Sequence, residues 1–299
     1  MSEQTTPVPG PTGQIHDIGY RHYDGPRLGA GFISRSLYVD TLRGAFGLGR
    51  SAKSKIMPFV LLALMVLPAV AIGIVTSYFK LPTLPLSYLS YAFSFQVVIT
   101  IFLGSQAPAA MSRDLRFKVA PLYFSRPLSR SQYVQAKFAG MTTALFLLVG
   151  LPITLLFLGA LLADLPFEDQ WPDYLRALGG AAVLALVLAS IGLVVAAMTP
   201  RRGLGVAAVV GVLIVLSGIQ ATVRAMAEEF GNDTFAGYAG LISPFTLVDG
   251  IQAGPLGGAS VMATPPEGAV MATVYCLVAV AVVAGAYAVL LARYRKALS

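Results

Sequence analysis

Six stretches of this chain contain no charged residue, and each is long enough to cross a membrane. They are Ile56–Phe79, Leu81–Ser112, Phe138–Ala163, Ala177–Pro200, Gly203–Val223 and Gly268–Ala292. A helix needs about 20 apolar residues to span the hydrocarbon core. The connecting segments alternate in charge. The N-terminal segment to Lys55, the loop Arg113–Lys137, the pair Arg201–Arg202 and the tail from Arg293 hold 18 of the 21 Lys and Arg residues. Lys80, the segment Asp164–Arg176 and the segment Arg224–Glu267 hold the other 3, together with 9 of the 14 acids. Basic residues stay on the cytoplasmic side, so both termini are expected there. A miscounted span would break the alternation. The expected fold class is an all-α integral membrane protein with six transmembrane helices, N-in and C-in.

The chain is 56% apolar and 12% charged, against roughly 25% charge in a soluble domain. No composition shift marks a second globular unit. The expected organisation is a flexible cytoplasmic tail (1–31), an amphipathic interfacial helix with a basic linker (32–55) and a six-span domain (56–299). That domain includes a cytoplasmic loop at 112–137 and an extracytoplasmic loop at 224–267. The net charge of +7 reads as topogenic charge facing anionic headgroups, not as a nucleic-acid surface. Cys276 is the single cysteine and reads as a packing residue. Residues 1–31 contain no apolar h-region, so no cleaved signal peptide is expected. Arg exceeds Lys, and Ala, Gly and Val are abundant, which points to a bacterial source and its cytoplasmic membrane.

Phe32–Arg50 reads as an amphipathic helix. Leu37, Tyr38, Leu42, Ala45 and Phe46 share one side, while Ser36, Asp40, Arg43 and Gly47 share the other. It is expected to lie in the cytoplasmic interface; the alternative is a helix packed on a partner. Tyr78, Phe79, Tyr88, Tyr91, Trp171 and Tyr174 are expected at the outer rim, and Tyr123, Tyr133 and Tyr294 at the inner rim. Gly203, Gly205, Gly211 and Gly218 in the fifth stretch suit close helix approach. The apolar middle of the last loop, Phe235–Ile251, is broken by Pro244. It reads as one or two short helices folded over, or dipping into, the outer face.

The missing chemistry is informative. The only histidines, His16 and His22, lie in the tail, so an intramembrane Ser–His or His/Glu protease site has no parts. The six stretches contain no Asp, Glu, Lys, Arg or His, whereas ion-coupled carriers usually place such residues in their spans. Energy for transport is therefore expected from outside the chain, although a carrier using carbonyls and hydroxyls remains open. Gly47-Leu48-Gly49-Arg50-Ser51-Ala52-Lys53-Ser54 approaches the phosphate-loop pattern but has Ala52 in place of the second glycine. It also follows a helix rather than a strand. No cofactor is expected on this chain.

The loop 112–137 is more than basic. Leu115, Val119 and Leu122 recur at helical spacing, so Arg113–Phe124 reads as a short amphipathic helix stopped by Pro127. Ser129 is placed to cap the next helix, which runs from Arg130 through Lys137 into the third span. Such a helix either docks a cytoplasmic partner or lies on lipid. With Pro127, Ser129, Arg130, Tyr133 and Lys137 in order, and Gly19-Tyr20-Arg21-His22-Tyr23-Asp24-Gly25-Pro26-Arg27 ahead of the amphipathic helix, the chain resembles the permease subunits of ABC-2 type transporters, notably actinobacterial ones. That resemblance implies a dimer with a second copy or a paralogue, joined through the first and fifth spans. It implies separate subunits that bind ATP and Mg²⁺. It also implies a coupling helix formed by Arg113, Asp114, Leu115, Arg116, Lys118, Val119, Leu122, Tyr123 and Arg126, and re-entrant helices closing the exit. Family members often carry Glu and Gly early in this helix, where Asp114, Phe117 and Lys118 stand here.

The leading expectation is a non-catalytic exporter subunit. Its rivals are a membrane anchor that recruits a cytoplasmic partner without transport, and a nucleotide-independent carrier. The charge pattern makes a direct prediction. A cysteine at Asn232, in a Cys276→Ala background, is labelled by an impermeant thiol reagent from outside intact cells. Protection there, with labelling of a cysteine at Thr5, would invert the topology.

Overall fold

The computed structural model describes residues 25, 28–116, 128–199, 201–262, 265–266 and 268–296. Among these residues every regular element is a helix. In chain order they are α1 (Ala30–Ala45), α2 (Ala52–Phe79), α3 (Tyr88–Ser94), α4 (Gln96–Arg116) and α5 (Arg130–Leu162). These are followed by α6 (Phe167–Met198), α7 (Arg202–Glu229), α8 (Asp233–Ala239), α9 (Pro244–Ala253) and α10 (Gly268–Lys296). Five of them, α2, α5, α6, α7 and α10, are each long and apolar enough to cross a membrane. The short α3 and the following α4 qualify only together, bent by 58° at Phe95, giving six spans if the pair counts as one.

That bend is a departure from the unbroken stretch Leu81–Ser112. Ser87 caps α3 by accepting from the Ser90 backbone N–H at 3.2 Å. The Tyr91 hydroxyl donates to the Met65 carbonyl of α2, while α3 itself packs on α5, α6 and α9. Tyr88 donates to Gln170 Oε1 at 2.7 Å, and its ring meets Phe157 and Tyr174 edge-on. Tyr88 and Tyr91, expected at the outer rim, are buried. Tyr78 and Phe79, by contrast, are exposed.

The central pair is α5 and α6. Half of the apolar window of α5 and 61% of that of α6 is buried, against 28% for α2, 17% for α7 and 22% for α10. Helix α2 crosses α5 where Gly73 meets Gly159: a Cβ on Gly73 would stand 3.0 Å from the Gly159 Cα. Of the fifth-span glycines, Gly205 packs closely on Pro108 of α4, while Gly203, Gly211 and Gly218 face open space.

Helix α1 uses the expected side. Leu37, Thr41 and Ala45 are buried, with Ile33, Tyr38, Leu42 and Phe46 packed on the same core. It packs on this chain's own α5, where Thr41 sits over Gly140 and Tyr38 Oη donates to Thr143 Oγ1 at 3.2 Å. It ends earlier than expected. Gly47 adopts φ +67°, and the Leu48 N–H reaches the Arg43 carbonyl at 2.8 Å. Gly47 thus forms a left-handed helix stop instead of joining the polar side.

The last loop forms α8 and α9. The segment breaks into two short helices as expected, and Pro244 opens α9 at its first turn, where its missing N–H costs nothing. Pro244–Gln252 is buried without exception. Leu247 and Ile251 pack with Val187, in the second half of α6, and with Met271, Tyr275 and Ala279 of α10. Asp249 accepts from Ser260 Oγ at 2.5 Å and from the Val261 N–H at 3.0 Å, which satisfies its buried carboxylate and ties down the strap after α9.

The Gly73–Gly159 crossing makes a stability prediction. Gly73→Leu must separate α2 from α5, and overpacking of this kind costs about 1–3 kcal/mol. Gly285→Leu, where nothing lies within 4 Å, is near neutral. Thermal unfolding in detergent checks both; equal melting temperatures would refute the tight crossing.

Candidate functional site

The predicted coupling segment begins differently from its expected register. Arg113, Asp114, Leu115 and Arg116 form the last turn of α4 rather than opening a separate helix, because no breaker interrupts the chain between Met111 and Arg116. Lys118, Val119, Leu122, Tyr123 and Arg126 lie outside the described residues. Beyond them the chain resumes with a buried Leu128 and the expected cap. Ser129 Oγ accepts from the Gln132 N–H at 3.2 Å, and Gln132 Oε1 accepts from the Ser129 N–H at 2.9 Å. This reciprocal capping box satisfies two otherwise orphaned donors and fixes where α5 starts.

The two ends flanking residues 117–127 are clasped together. Tyr133 and Tyr294 are fully buried, with ring centroids 5.0 Å apart. The Tyr294 hydroxyl donates to Met111 Sδ at 3.4 Å. One contact chain thus joins the end of α4, the start of α5 and the end of α10. Gln135 Nε2 adds a bond to Tyr287 Oη at 3.2 Å. Both tyrosines were expected at the inner rim; they stand at this end of the bundle with their rings buried against each other. Lys137 is buried 5.7 Å from the Tyr133 ring centroid, within cation–π range. It lines a small cavity with Asp40, Arg50 and Met141, so α1 joins the same foot.

The phosphate-loop look-alike is a helix-to-helix turn. Gly47 ends α1, Ser51 precedes α2, and a Cβ on Gly47 would stand 2.4 Å from the Ser54 carbonyl oxygen. No strand feeds it. Among the described residues no group of three or more His, Cys, Asp or Glu is placed to hold a metal.

A second feature lies between α4 and α7. Gln96, Thr100 and Ser217 put polar atoms into an otherwise apolar groove of about 290 Å³, walled by Ile101, Leu213 and Phe245. Ser217 Oγ also pairs with Ser243 Oγ at 3.1 Å, linking α7 to the residue that precedes α9. Next along α7, Gln220 is buried and its Nε2 has no hydrogen-bond partner. An amide donor left open inside a bundle is costly. A reading limited to ionisable groups misses these residues; the available signal is glutamine within apolar runs, at Gln96, Gln106 and Gln220.

The sequence matches the model of a family described as ABC-2 family transporter protein over residues 118–297. The match covers more than half of the chain, and the chain belongs to this family. It is a multi-pass membrane protein and a permease component of ABC transporters, a role that is not itself catalytic. Comparison with curated proteins returned no match.

The capping box gives the local test. Ser129→Ala is expected to cost about 1 kcal/mol and to raise amide hydrogen exchange in the first turn of α5. Gln132→Ala should give a similar, non-additive effect. Unchanged exchange at residues 130–133 in both variants would show that the box does not hold this end.

Proposed function

We propose that this chain is the six-span membrane subunit of an ATP-driven ABC-2 exporter in a bacterial cytoplasmic membrane. It receives mechanical work from separate ATP-binding subunits at the segment running from Arg113 to Arg126. The observation that carries this reading is the clasped foot. Met111, Tyr133 and Tyr294 bind the two flanks of that segment to one another and to α10. A push on the segment is then delivered to three helices together, and through the Thr41–Gly140 contact to α1. A loop serving only as a linker needs no such anchorage.

The Gln96–Thr100–Ser217 groove is the proposed path for an amphipathic or lipid-like substrate. Its apolar walls suit a greasy body, and its amide and hydroxyls suit a polar end. Buried α9, which contributes Phe245 to the groove wall, closes the path at the outer side until the helices shift. The dimer contact is assigned to α2 and α7, the first and fifth spans that the family resemblance implies; both are poorly covered within the chain, as is α10. The chain performs no covalent step, and ATP and Mg²⁺ belong to the partner subunit.

Leu115 and Leu122 are the proposed anchors in the ATPase groove. Truncating a central buried leucine costs about 2–3 kcal/mol or more, whereas a rim charge contributes about 0–1 kcal/mol. Leu115→Asp and Leu122→Asp are therefore expected to release the co-purifying ATPase and abolish transport without preventing membrane insertion. Arg113→Ala and Arg116→Ala remain mild. Full retention of the ATPase by both Leu→Asp variants in a detergent pull-down would place this segment on lipid and remove the coupling role.

A further inference from the structure

We propose that a cleft over α1 binds the phosphate of an anionic phospholipid, a role separate from the transport reading and not dependent on it. Arg35 and Arg43 stand two turns apart on the same helix, along the side turned away from α5. The left-handed stop at Gly47 then reverses the chain and brings Arg50 back, with its guanidinium 3.4 Å from where a Gly44 side chain would begin. The three guanidiniums line one cleft of about 460 Å³, a volume within the ~300–1,000 Å³ range of small-molecule sites.

The charge in this cleft is only partly compensated. Asp40 is the one carboxylate among its lining residues. Among the described residues no ion pair reaches Arg35, Arg43 or Arg50. Three like charges around one space repel one another, and an anion between them relieves that repulsion. Guanidinium forks match phosphate oxygens two at a time, so phosphate is the anion this arrangement fits best.

The lipid form follows from the rest of the lining. Phe32 and Leu48 border the same cleft, 54% and 39% exposed. Free phosphate would leave both in water, whereas an acyl chain covers them. The height is also right for a lipid. Helix α1 lies along α5, and α2 begins directly after Arg50, with Lys53 and Lys55 at its start. The cleft therefore opens where headgroup gives way to hydrocarbon, a setting in which basic pockets bind lipid headgroups.

The test uses the full-length protein in an uncharged detergent. Dioctanoyl phosphatidylglycerol, dioctanoyl phosphatidylcholine and inorganic phosphate are titrated in turn, with binding read by native mass spectrometry and thermophoresis. One saturable phosphatidylglycerol site is expected, with phosphatidylcholine at least about tenfold weaker and millimolar phosphate unable to displace the lipid. The triple variant R35Q/R43Q/R50Q is expected to lose about tenfold in affinity, while R295Q on α10 changes nothing. Should the triple variant fail to fold, R43Q and R50Q singly are each expected to lose about threefold. Undiminished lipid binding in the arginine variants, an equal loss in R295Q, or phosphatidylcholine binding as tight as phosphatidylglycerol would overturn the proposal. Complete displacement by phosphate would do the same, leaving a free-anion site.

Discussion

Helix α5 is the member on which the other packing depends. It runs unbroken from Arg130 to Leu162 and touches α1, α2, α3, α4, α6 and α10. Its glycines set two of these contacts: Gly159 lets the α2 backbone approach, and Gly140 seats Thr41 of α1. In hydrocarbon no general hydrophobic force draws helices together, so close van der Waals fit and buried polar bonds must do so. Fit at α5 therefore decides where both the amphipathic helix and the first span stand. Because α5 also begins at the Ser129 capping box, the same helix carries that position down to the foot of the bundle.

The two ends of the molecule are built differently, in a way that suits a device driven from one side. At the foot, aromatic rings and a sulfur hold helix ends together through contacts that tolerate small shifts in angle. At the other end, α9 is wedged between α6 and α10, and its strap is fixed by hydrogen bonds to Asp249. Between them the groove beside α4 and α7 contains uncharged polar groups only. As the proposed path, such a groove would let a partly polar molecule pass without the cost of an unpaired charge in the membrane. Permeases of this family usually work with ATP-binding subunits.

Much of this was legible in the sequence where the cause is local. The Ser129 cap, the apolar side of α1, and short helices around Phe235–Ile251 follow from residue type and spacing. Features set by tertiary contact were not legible. The bend at Phe95 accompanies packing of α3 on α5, α6 and α9, all distant in the chain, and nothing within Leu81–Ser112 announces it. Tyr133 and Tyr294 have the composition of rim residues, and only their mutual packing buries them. Gly211 and Gly218 look like packing glycines, yet they face open space, because sequence does not say which side of a uniformly apolar helix meets a neighbour. Gln96 was visible as a residue, but the groove it shares with Thr100 and Ser217 depends on how α4 and α7 are paired.

The central claim is that a cytoplasmic ATPase meets the α4–α5 foot. Hydrogen–deuterium exchange across the whole chain, with and without the co-purified ATP-binding subunit, tests it most directly. The account predicts protection concentrated in residues 113–127 and the first turn of α5, with α8, α9 and the strap after α9 unchanged. Protection confined to residues 233–262, or none at the foot when the complex is intact, would contradict it.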